Sequence, residues 1–213
     1  MSDNHKPEYG PKFVTPIGRI LSCNILTDDE TIFDNPRKEF KGVEQGTHTV
    51  DILLDKSEEE NKLFFDSIVK QQDKIVSKAF KKKIPLLHPP IIDGDDTDKD
   101  YLQGSYRFRA KFRCAIGKDV CKSIILQDQM GQRIMDPLAL DCFRDGNWAR
   151  VQAQLKSYHF GGSKGVTSSL LTIQFARQDD PLFNVKGDEF DAVESYDAET
   201  DEGVNDLLGE QVD

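Results

Sequence analysis

Long apolar runs are missing from this sequence. No stretch approaches the roughly 18 consecutive apolar residues that a membrane-spanning helix needs, and Met1 to Lys6 lack the apolar core of a secretory signal. We therefore expect neither a membrane protein nor a secreted one. Only 37% of the residues are hydrophobic and 31% are charged, which indicates a small core and a segment outside it.

Cysteine and histidine are too scattered to indicate a metal site or a catalytic centre. No two of the four cysteines form a CxxC pair, and no two histidines stand at zinc spacing. The aspartate-rich stretch 93–100 fails the calcium-loop template, because Asp98 replaces the required Gly and Gly104 the required Glu. Walker, Rossmann and nucleophile-elbow motifs are absent as well. The sequence predicts a protein that is not an enzyme and that uses no cofactor and no metal.

The sequence does contain a strong separation of charge. Residues 187–213 hold eleven acidic residues and no Lys or Arg, which leaves 28 basic and 27 acidic residues in 1–186. A block of like charge repels itself and does not fold alone. We expect a flexible N-terminus at 1–12, one folded domain at 13–180 and an acidic, disordered tail at 181–213. Such a tail either keeps the protein soluble or binds a basic surface, and we favour the second role.

The predicted elements are two strands, one long helix and then several strands. Alternation predicts strands at 13–22 and 47–54, and helical spacing after a capping box at 57–60 predicts a helix at about 58–80. Residues 84–104 are predicted as a loop. Further strands are predicted at 105–115, 121–128, 148–160 and 168–177, with turns at 129–132 and 161–165. This order suits a small closed sheet, all-β except for the inserted helix.

One predicted strand, 105–115, carries a row of cations. Because side chains alternate along a strand, the apolar residues share one face and the cations, about 7 Å apart, share the other. The cations are Arg107, Arg109, Lys111 and Arg113. We interpret them as a phosphate-binding row, because no anion accompanies them on that face of the strand. The alternative is a solvated face whose acidic partners lie on other elements.

A second predicted strand, 148–160, combines cations with aromatic residues. The candidate binding residues are Arg150, Lys156, Tyr158 and Phe160, followed by Lys164 in the glycine-rich turn. Exposed aromatic rings beside cations suit non-specific single-strand binding, since every base has a π-face to stack on. Phe160 could equally close the end of a barrel, and we expect Trp148, at the start of the strand, to belong to the core.

In this order the residues resemble a known family, the single-stranded DNA-binding proteins of tailed-bacteriophage replisomes. The resemblance covers most of the chain and ends with the acidic tail. Its motifs are Asp34-Asn35-Pro36-Arg37, Val50-Asp51-Ile52 before the helix, the basic strand 106–114, Ile124-Ile125-Leu126 and Leu155-Lys156-Ser157-Tyr158. One departure is that the family's tails end in an aromatic residue, whereas this sequence ends in Gln211-Val212-Asp213.

The resemblance implies an OB-fold: a five-stranded antiparallel barrel with a long helix after the second strand. It implies sequence-independent binding of single-stranded DNA in phage replication, recombination and repair, in the cytoplasm of the infected host. Phage DNA polymerase and helicase-primase are the implied partners of the tail, and Arg109, Lys111, Lys156 and Tyr158 match DNA-contacting positions. From the charge separation we also expect the tail to compete with DNA for the binding groove.

Other functions remain open at this point. The barrel could be a protein-interaction module without physiological DNA binding, with the tail or the helix 58–80 as its ligand. The same groove could take RNA or duplex, because backbone contacts and stacking serve these as well. An annealing or recombination mediator is compatible with single-strand binding. The sequence leaves open whether the chain forms a homodimer.

Overall fold

The computed structural model describes residues 6–24, 38–40, 43–82, 84–115, 124–134, 141–160 and 163–183. These residues form nine strands and one α-helix. The elements are β1 (Tyr9–Val14), β2 (Gly18–Asn24), β3 (Lys38–Phe40), β4 (Val43–Asp55), α1 (Glu59–Phe80), β5 (Ile91–Asp93), β6 (Ser105–Ala115), β7 (Ile125–Gln127), β8 (Trp148–Phe160) and β9 (Ser163–Arg177). Residues 184–213 of the predicted tail 181–213 lie outside the described residues, so the disorder of the tail stays a prediction.

Five of the strands close into a barrel. β2 pairs with β4, β4 with β6, β6 with β9, β9 with β8, and β8 again with β2. This is the Greek-key barrel of the OB-fold, with α1 inserted after the second barrel strand, so the predicted fold class is confirmed. One detail differs from our expectation: β6 and β9 run parallel, and the barrel is therefore not antiparallel throughout.

Four short strands extend the barrel: β1 along β8, β3 along β4, β5 along β6 and β7 along β9. The strand predicted at 13–22 is in fact two strands, because the chain turns at Thr15-Pro16-Ile17 between β1 and β2. β1 begins at Tyr9, inside the N-terminal segment that we expected to be flexible, because its backbone pairs with β8. β5 lies in the predicted loop 84–104, and its three residues are too few to show alternation.

β6 and β8 have the predicted bounds, whereas other strands differ at their ends. β4 begins at Val43 and β9 at Ser163, each before its predicted start. The turn predicted at 161–165 is accordingly shorter, because backbone pairing between β8 and β9 runs on to the Phe160–Ser163 pair. β7 covers only Ile125–Gln127, and residues 121–123 of the strand predicted there lie outside the described residues.

The barrel interior is filled by every second residue of its strands. Val50, Ile52 and Leu54 of β4 share the inner face and are fully buried, as their alternation predicts. Phe108 and Ala110 of β6 are their equally buried neighbours. Because the apolar side chains of each strand point into this core, the alternate residues of β4 and β6 face the outside of the barrel.

α1 packs against β1, β5, β8 and β9 through the buried side chains of Ile68 and Ile75. At its N-terminal half, the ring of Phe64 lies 5.8 Å from that of Phe13 and 5.9 Å from that of Phe108. These aromatic contacts join the helix to β1 and to the barrel interior. No helix in the described part of the chain is long and apolar enough to cross a membrane.

The predicted capping box of α1 does not form. The N-cap residue is Glu58, whose side chain makes no capping hydrogen bond. Asp55 orders the turn that leads into the helix instead: its Oδ1 accepts from the backbone N–H of Ser57 at 2.7 Å, and its carbonyl accepts from Nδ2 of Asn61 at 2.8 Å. These bonds tie the end of β4 to the first turn of α1.

Candidate nucleic-acid interface

The predicted cation row lies on the outer face of β6. Arg107, Arg109 and Lys111 alternate with side chains that fill the barrel. Arg113 continues the same strand, but its side chain lies outside the described residues. β6 is the third strand of the barrel, and the second and third strands of an OB-fold form its ligand-binding face. The sequence-predicted row therefore occupies the face on which this fold binds ligands.

One cation of the row is paired with an anion of the neighbouring strand, as the alternative of acidic partners on other elements anticipated. Asp51 of β4 stands directly opposite Arg109 and is only 2% exposed. Arg109 donates from Nε to Asp51 Oδ1 at 2.6 Å and from Nη2 to Oδ2, and these hydrogen bonds raise the pKa of Arg109. Sequence inspection of one strand missed Asp51 because the partner belongs to the neighbouring strand. Much of the charge of Arg109 is thus already compensated.

Arg107 has a different environment. Its guanidinium is about half-buried, and its buried Nε finds no hydrogen-bond acceptor among the described residues. Burial, and next the neighbouring charge of Arg109, lower the pKa of Arg107 below its ordinary value. The protein therefore holds this cation at a cost, and an approaching anion would reduce that cost.

A second group of predicted residues lies where β8 turns into β9. Tyr158 pairs with Gly165, and Lys164 pairs with the residue next to Tyr158. Lys164 is exposed, and Lys156 and Tyr158 are partly exposed. The loop between these two strands borders the ligand-binding face of OB-folds. Phe160 belongs to the same strand end, but its side chain lies outside the described residues.

The ring of Tyr158 lies across Gly165. A Cβ atom at Gly165 would stand 2.7 Å from the phenol oxygen of Tyr158 and 2.8 Å from Cζ, closer than carbon and oxygen atoms can approach. The absence of a side chain at Gly165 thus lets the tyrosine ring lie along the sheet. One face of the ring therefore lies against the backbone of Gly165, which restricts the positions that the ring can take.

Arg150 is not part of either group. It lies eight residues before Tyr158 on β8, which is about 26 Å along an extended strand. Its Nε donates to Oε1 of Gln174 on β9 at 2.8 Å. β9 separates β8 from β6 in the barrel, so the structure does not bring Arg150 together with the cation row.

Sequence inspection missed a group of exposed residues near the row. The rings of Tyr101 and Phe183 lie 5.7 Å apart, edge to face, and are 45% and 49% exposed. Lys99 Nζ lies 5.7 Å from the centre of the Tyr101 ring, and the short helical turn Asp100–Leu102 that carries Tyr101 contacts β6. No sequence pattern indicates this group, because the two aromatics stand 82 positions apart.

Trp148 is partly exposed rather than part of the core. Its indole N–H donates to Asp179 at 2.7 Å, and the guanidinium carbons of Arg177 and Arg19 lie 4.3 and 5.9 Å from its ring centre. Aromatic rings attract cations through the negative charge of their faces. The indole therefore holds the end of β9 against the start of β8 and β2.

The aspartate-rich stretch 93–100 is organised by a lysine. Lys56 Nζ forms ion pairs with Asp93 and Asp95, and the hydrogen bond from Lys56 is the main cause that lowers the pKa of Asp95. Among the residues that the structure describes, no group of three or more His, Cys, Asp and Glu side chains is arranged to hold a metal ion.

Comparison with known proteins decides the family. A family model described as the single-stranded DNA-binding protein of Enterobacter phage Enc34 matches residues 30–206. The chain belongs to this family. The resemblance to phage single-stranded DNA-binding proteins that the sequence indicated is thereby confirmed. No curated protein matches the chain in sequence.

Solved structures with the same fold come from two bacteriophages. The single-stranded DNA-binding protein from bacteriophage Enc34 is 15% identical with a TM-score of 0.60, over 83% of this chain and 87% of that one. The same phage protein in complex with single-stranded DNA is 14% identical with a TM-score of 0.60, over 80% and 88%. The single-stranded DNA-binding protein gp2.5 of bacteriophage T7 is 16% identical with a TM-score of 0.55, over 84% and 99%. At these identities the likeness shows the shared fold.

Proposed function

We propose that this protein binds single-stranded DNA without sequence preference, in the replication, recombination and repair of a phage genome. Membership of the Enc34 family supports the ligand, and the OB-fold supports the location, on the outer face of β4 and β6. Phosphates would contact the cation row, and bases would stack on aromatic rings at its border. Such contacts read the shape and charge of a strand, which every sequence shares.

The observation that carries this proposal is the state of Arg107. A half-buried guanidinium without an acceptor for its Nε, next to a second arginine, is unfavourable in the protein alone. A DNA phosphate supplies the missing negative charge. Lys111, exposed four positions further along β6, would extend the contact to a further phosphate of the strand.

We further propose that the acidic segment 187–213 competes with DNA for this face. The charge separation supports this proposal, because residues 1–186 hold 28 basic and 27 acidic residues whereas no Lys or Arg lies in the acidic segment. Its eleven acidic residues imitate the charge of a DNA strand. Phage DNA polymerase and helicase-primase, in the cytoplasm of the host, are the proposed partners of the segment once DNA has displaced it.

The test is a fluorescence-anisotropy titration of a labelled oligo-dT of about 30 nucleotides, long enough for more than one OB-fold site. The full chain and a 1–186 truncation are compared at two salt concentrations, with duplex DNA and RNA as competitors. We expect salt-sensitive binding by both proteins, tighter binding by the truncation, and poor competition by duplex.

Each result has a separate meaning. Equal affinity of the full chain and the truncation at low salt refutes competition by the tail but keeps the binding function. Absence of binding by both proteins refutes the function and favours the protein-interaction module. Competition by RNA that equals competition by DNA replaces the DNA-specific proposal by binding of single strands in general.

A further inference from the structure

An open groove of about 430 Å³ lies outside the site described so far, on the outer face of β1, β8, β9 and β7. Four of its residues form one line across these strands. Val14 pairs with Gln152, Gln152 with Thr172, and Thr172 with Ile125. The two aliphatic ends of the line are exposed, Val14 by 48% and Ile125 by 43%. The line therefore has a polar centre between two apolar walls.

A second line of residues runs beside the first. Arg150 pairs with Gln174, which also pairs with Gln127 on its other side. Both amide groups are held in place: Gln174 Oε1 accepts from Arg150 Nε at 2.8 Å, and Gln127 Nε2 donates to the carbonyl of Gly131 at 2.9 Å. Together the two lines make a floor of three carboxamides and one hydroxyl, with one guanidinium at the edge.

The chemistry of this floor favours a nucleotide. Gln174 is engaged on both sides, because its Nε2 also donates to the carbonyls of Asp128 and Gln129. The carboxamide of Gln152, whose Oε1 accepts from Thr172 at 3.5 Å, offers a donor and an acceptor side by side to the edge of a nucleobase, and the aliphatic walls accept the flat faces of its ring. None of the seven residues that line the groove is acidic, so nothing within it repels a phosphate, and Arg150 is an exposed cation. The volume lies in the range of small-molecule sites and is sufficient for one nucleotide.

The groove is also connected to the cation row. Lys111 of β6 pairs with Ser169 of β9, Ser169 with Gln154 of β8, and Gln154 with Lys12 of β1. This line begins at the cation row and runs beside the line of Val14, Gln152 and Thr172 in the groove. A shift of register between β8 and β9 at Gln152 bends the sheet at the boundary, as bulges beside binding sites do.

We propose that the groove is an additional subsite for one unstacked nucleotide of a DNA strand that leaves the β4–β6 face and crosses β9. Its phosphate contacts Arg150, and its base lies against Gln152 between Val14 and Ile125. The inference rests on the proposed single-strand binding and extends the path of the strand to a surface outside the usual ligand face of the fold.

The test is Gln152→Glu, which preserves the shape of the side chain and the oxygen that accepts from Thr172 Oγ1 at 3.5 Å, but replaces the amide nitrogen by a charged oxygen. Gln178→Glu, at an exposed position outside the groove, adds the same charge and is the matched control. Affinities are measured for oligo-dT of about 6 and about 16 nucleotides, the lower and upper range of one OB-fold site. Arg150→Gln provides a second variant, and circular dichroism verifies folding.

We expect Gln152→Glu to weaken binding of the 16-nucleotide oligo-dT by about tenfold more than the control does. The affinity for the 6-nucleotide oligo-dT should not change. Arg150→Gln should show the same dependence on oligonucleotide length. Equal effects of Gln152→Glu and Gln178→Glu at both lengths overturn the subsite and leave single-strand binding intact, with the groove free for a protein partner. Absence of binding by the unmodified chain instead refutes the proposed function, and the subsite with it.

Discussion

The guanidinium of Arg109 on β6 donates two hydrogen bonds to the carboxylate of Asp51, the residue directly opposite it on β4. Asp51 Oδ2 also lies 3.5 Å from the hydroxyl of Ser22 on β2. The carboxylate thus ties together three consecutive strands of the barrel. On this face Arg109 is in the first place a structural cation, and Arg107 and Lys111 are the cations that we assign to DNA.

This pairing predicts unequal effects of two substitutions. Arg109→Ala leaves the buried carboxylate of Asp51 without its counter-charge, and we expect it to lower the free energy of unfolding by about 2 kcal/mol, less than for a fully buried pair because Arg109 is partly exposed. Asp51→Asn frees the guanidinium, so we expect DNA affinity to rise and the salt dependence to steepen by about 0.7. Urea denaturation and titrations at several salt concentrations measure the two effects.

Arg150→Ala is the control for stability. Arg150 is exposed and hydrogen-bonded to an amide rather than a carboxylate, so its loss should change the free energy of unfolding by no more than about 0.5 kcal/mol. If Arg109→Ala is as stable as Arg150→Ala, the ion pair with Asp51 does not hold the barrel strands together.

The contact between Tyr158 and Gly165 predicts that a methyl group added at Gly165 lowers DNA affinity by displacing the Tyr158 ring. Gly165→Ala places a carbon 2.7 Å from the phenol oxygen, so the ring must leave its position while the strands remain paired. We expect oligo-dT affinity to fall in the same direction as in Tyr158→Ala, where the loss of one stacked base costs about 1–3 kcal/mol.

Tyr158→Phe is the matched control, since it keeps the ring and removes only the hydroxyl. Anisotropy titrations of the three variants, with thermal melts for folding, decide the matter. Normal affinity in a folded Tyr158→Ala protein means that Tyr158 only covers the glycine. Normal affinity in Gly165→Ala alone means that the position of the ring is unimportant for stacking.

His48 predicts a dependence of stability on pH. It is fully buried next to Phe112, and burial lowers its pKa to about 4. Because the unfolded chain takes up a proton near pH 6.5 and the folded one does not, stability is complete above about pH 6.5 and falls as the pH decreases towards 4, by about 3 kcal/mol in total. Urea denaturation at pH 7, 6, 5 and 4.5 measures this slope.

Replacement of a different histidine separates this effect from general acid sensitivity. His88 is exposed, so His88→Gln should keep the full decrease in stability, whereas His48→Leu should flatten the curve between pH 6.5 and 4.5 even if it lowers stability at pH 7. The same slope in both variants would assign the acid sensitivity to other groups.

The bounds of an element were predicted best where the residues of that element alone show a clear periodicity. β6 and β8 have the predicted bounds because Phe108, Ala110, Val151 and their neighbours alternate strictly with polar residues, and α1 follows from its helical spacing. β5 has too few residues for any period. The division of the predicted strand 13–22 into β1 and β2 depends on the pairing of both strands with β8. Pro16 lies where the chain passes from β1 to β2.

The sequence did not predict the contacts between side chains of neighbouring strands, because these contacts depend on the register of the strands. Asp51 was visible in the sequence, but only the register of β4 against β6 places it opposite Arg109. The same limit applies to Tyr158, since the ring position depends on which residue of β9 it faces. The alternation of β6 places Arg107, Arg109 and Lys111 on one face, as predicted, whereas the pairing of Arg109 with Asp51 required the fold. That the row binds phosphates stays a prediction.

The pairing of Arg109 with Asp51 makes a final prediction about salt dependence. Arg107→Gln with Lys111→Gln removes two cations from the face but leaves the Asp51–Arg109 pair intact, so the barrel should remain folded. If each cation neutralises one phosphate, the slope of log affinity against log salt concentration becomes shallower by about 1.4. Lys70→Gln with Lys74→Gln, at exposed positions of α1, makes the same change in net charge away from the row and should leave the slope unaltered. A folded Arg107→Gln, Lys111→Gln protein with an unchanged slope would show that DNA phosphates do not contact this row, and it would move the proposed interface to the other basic group, at the end of β8.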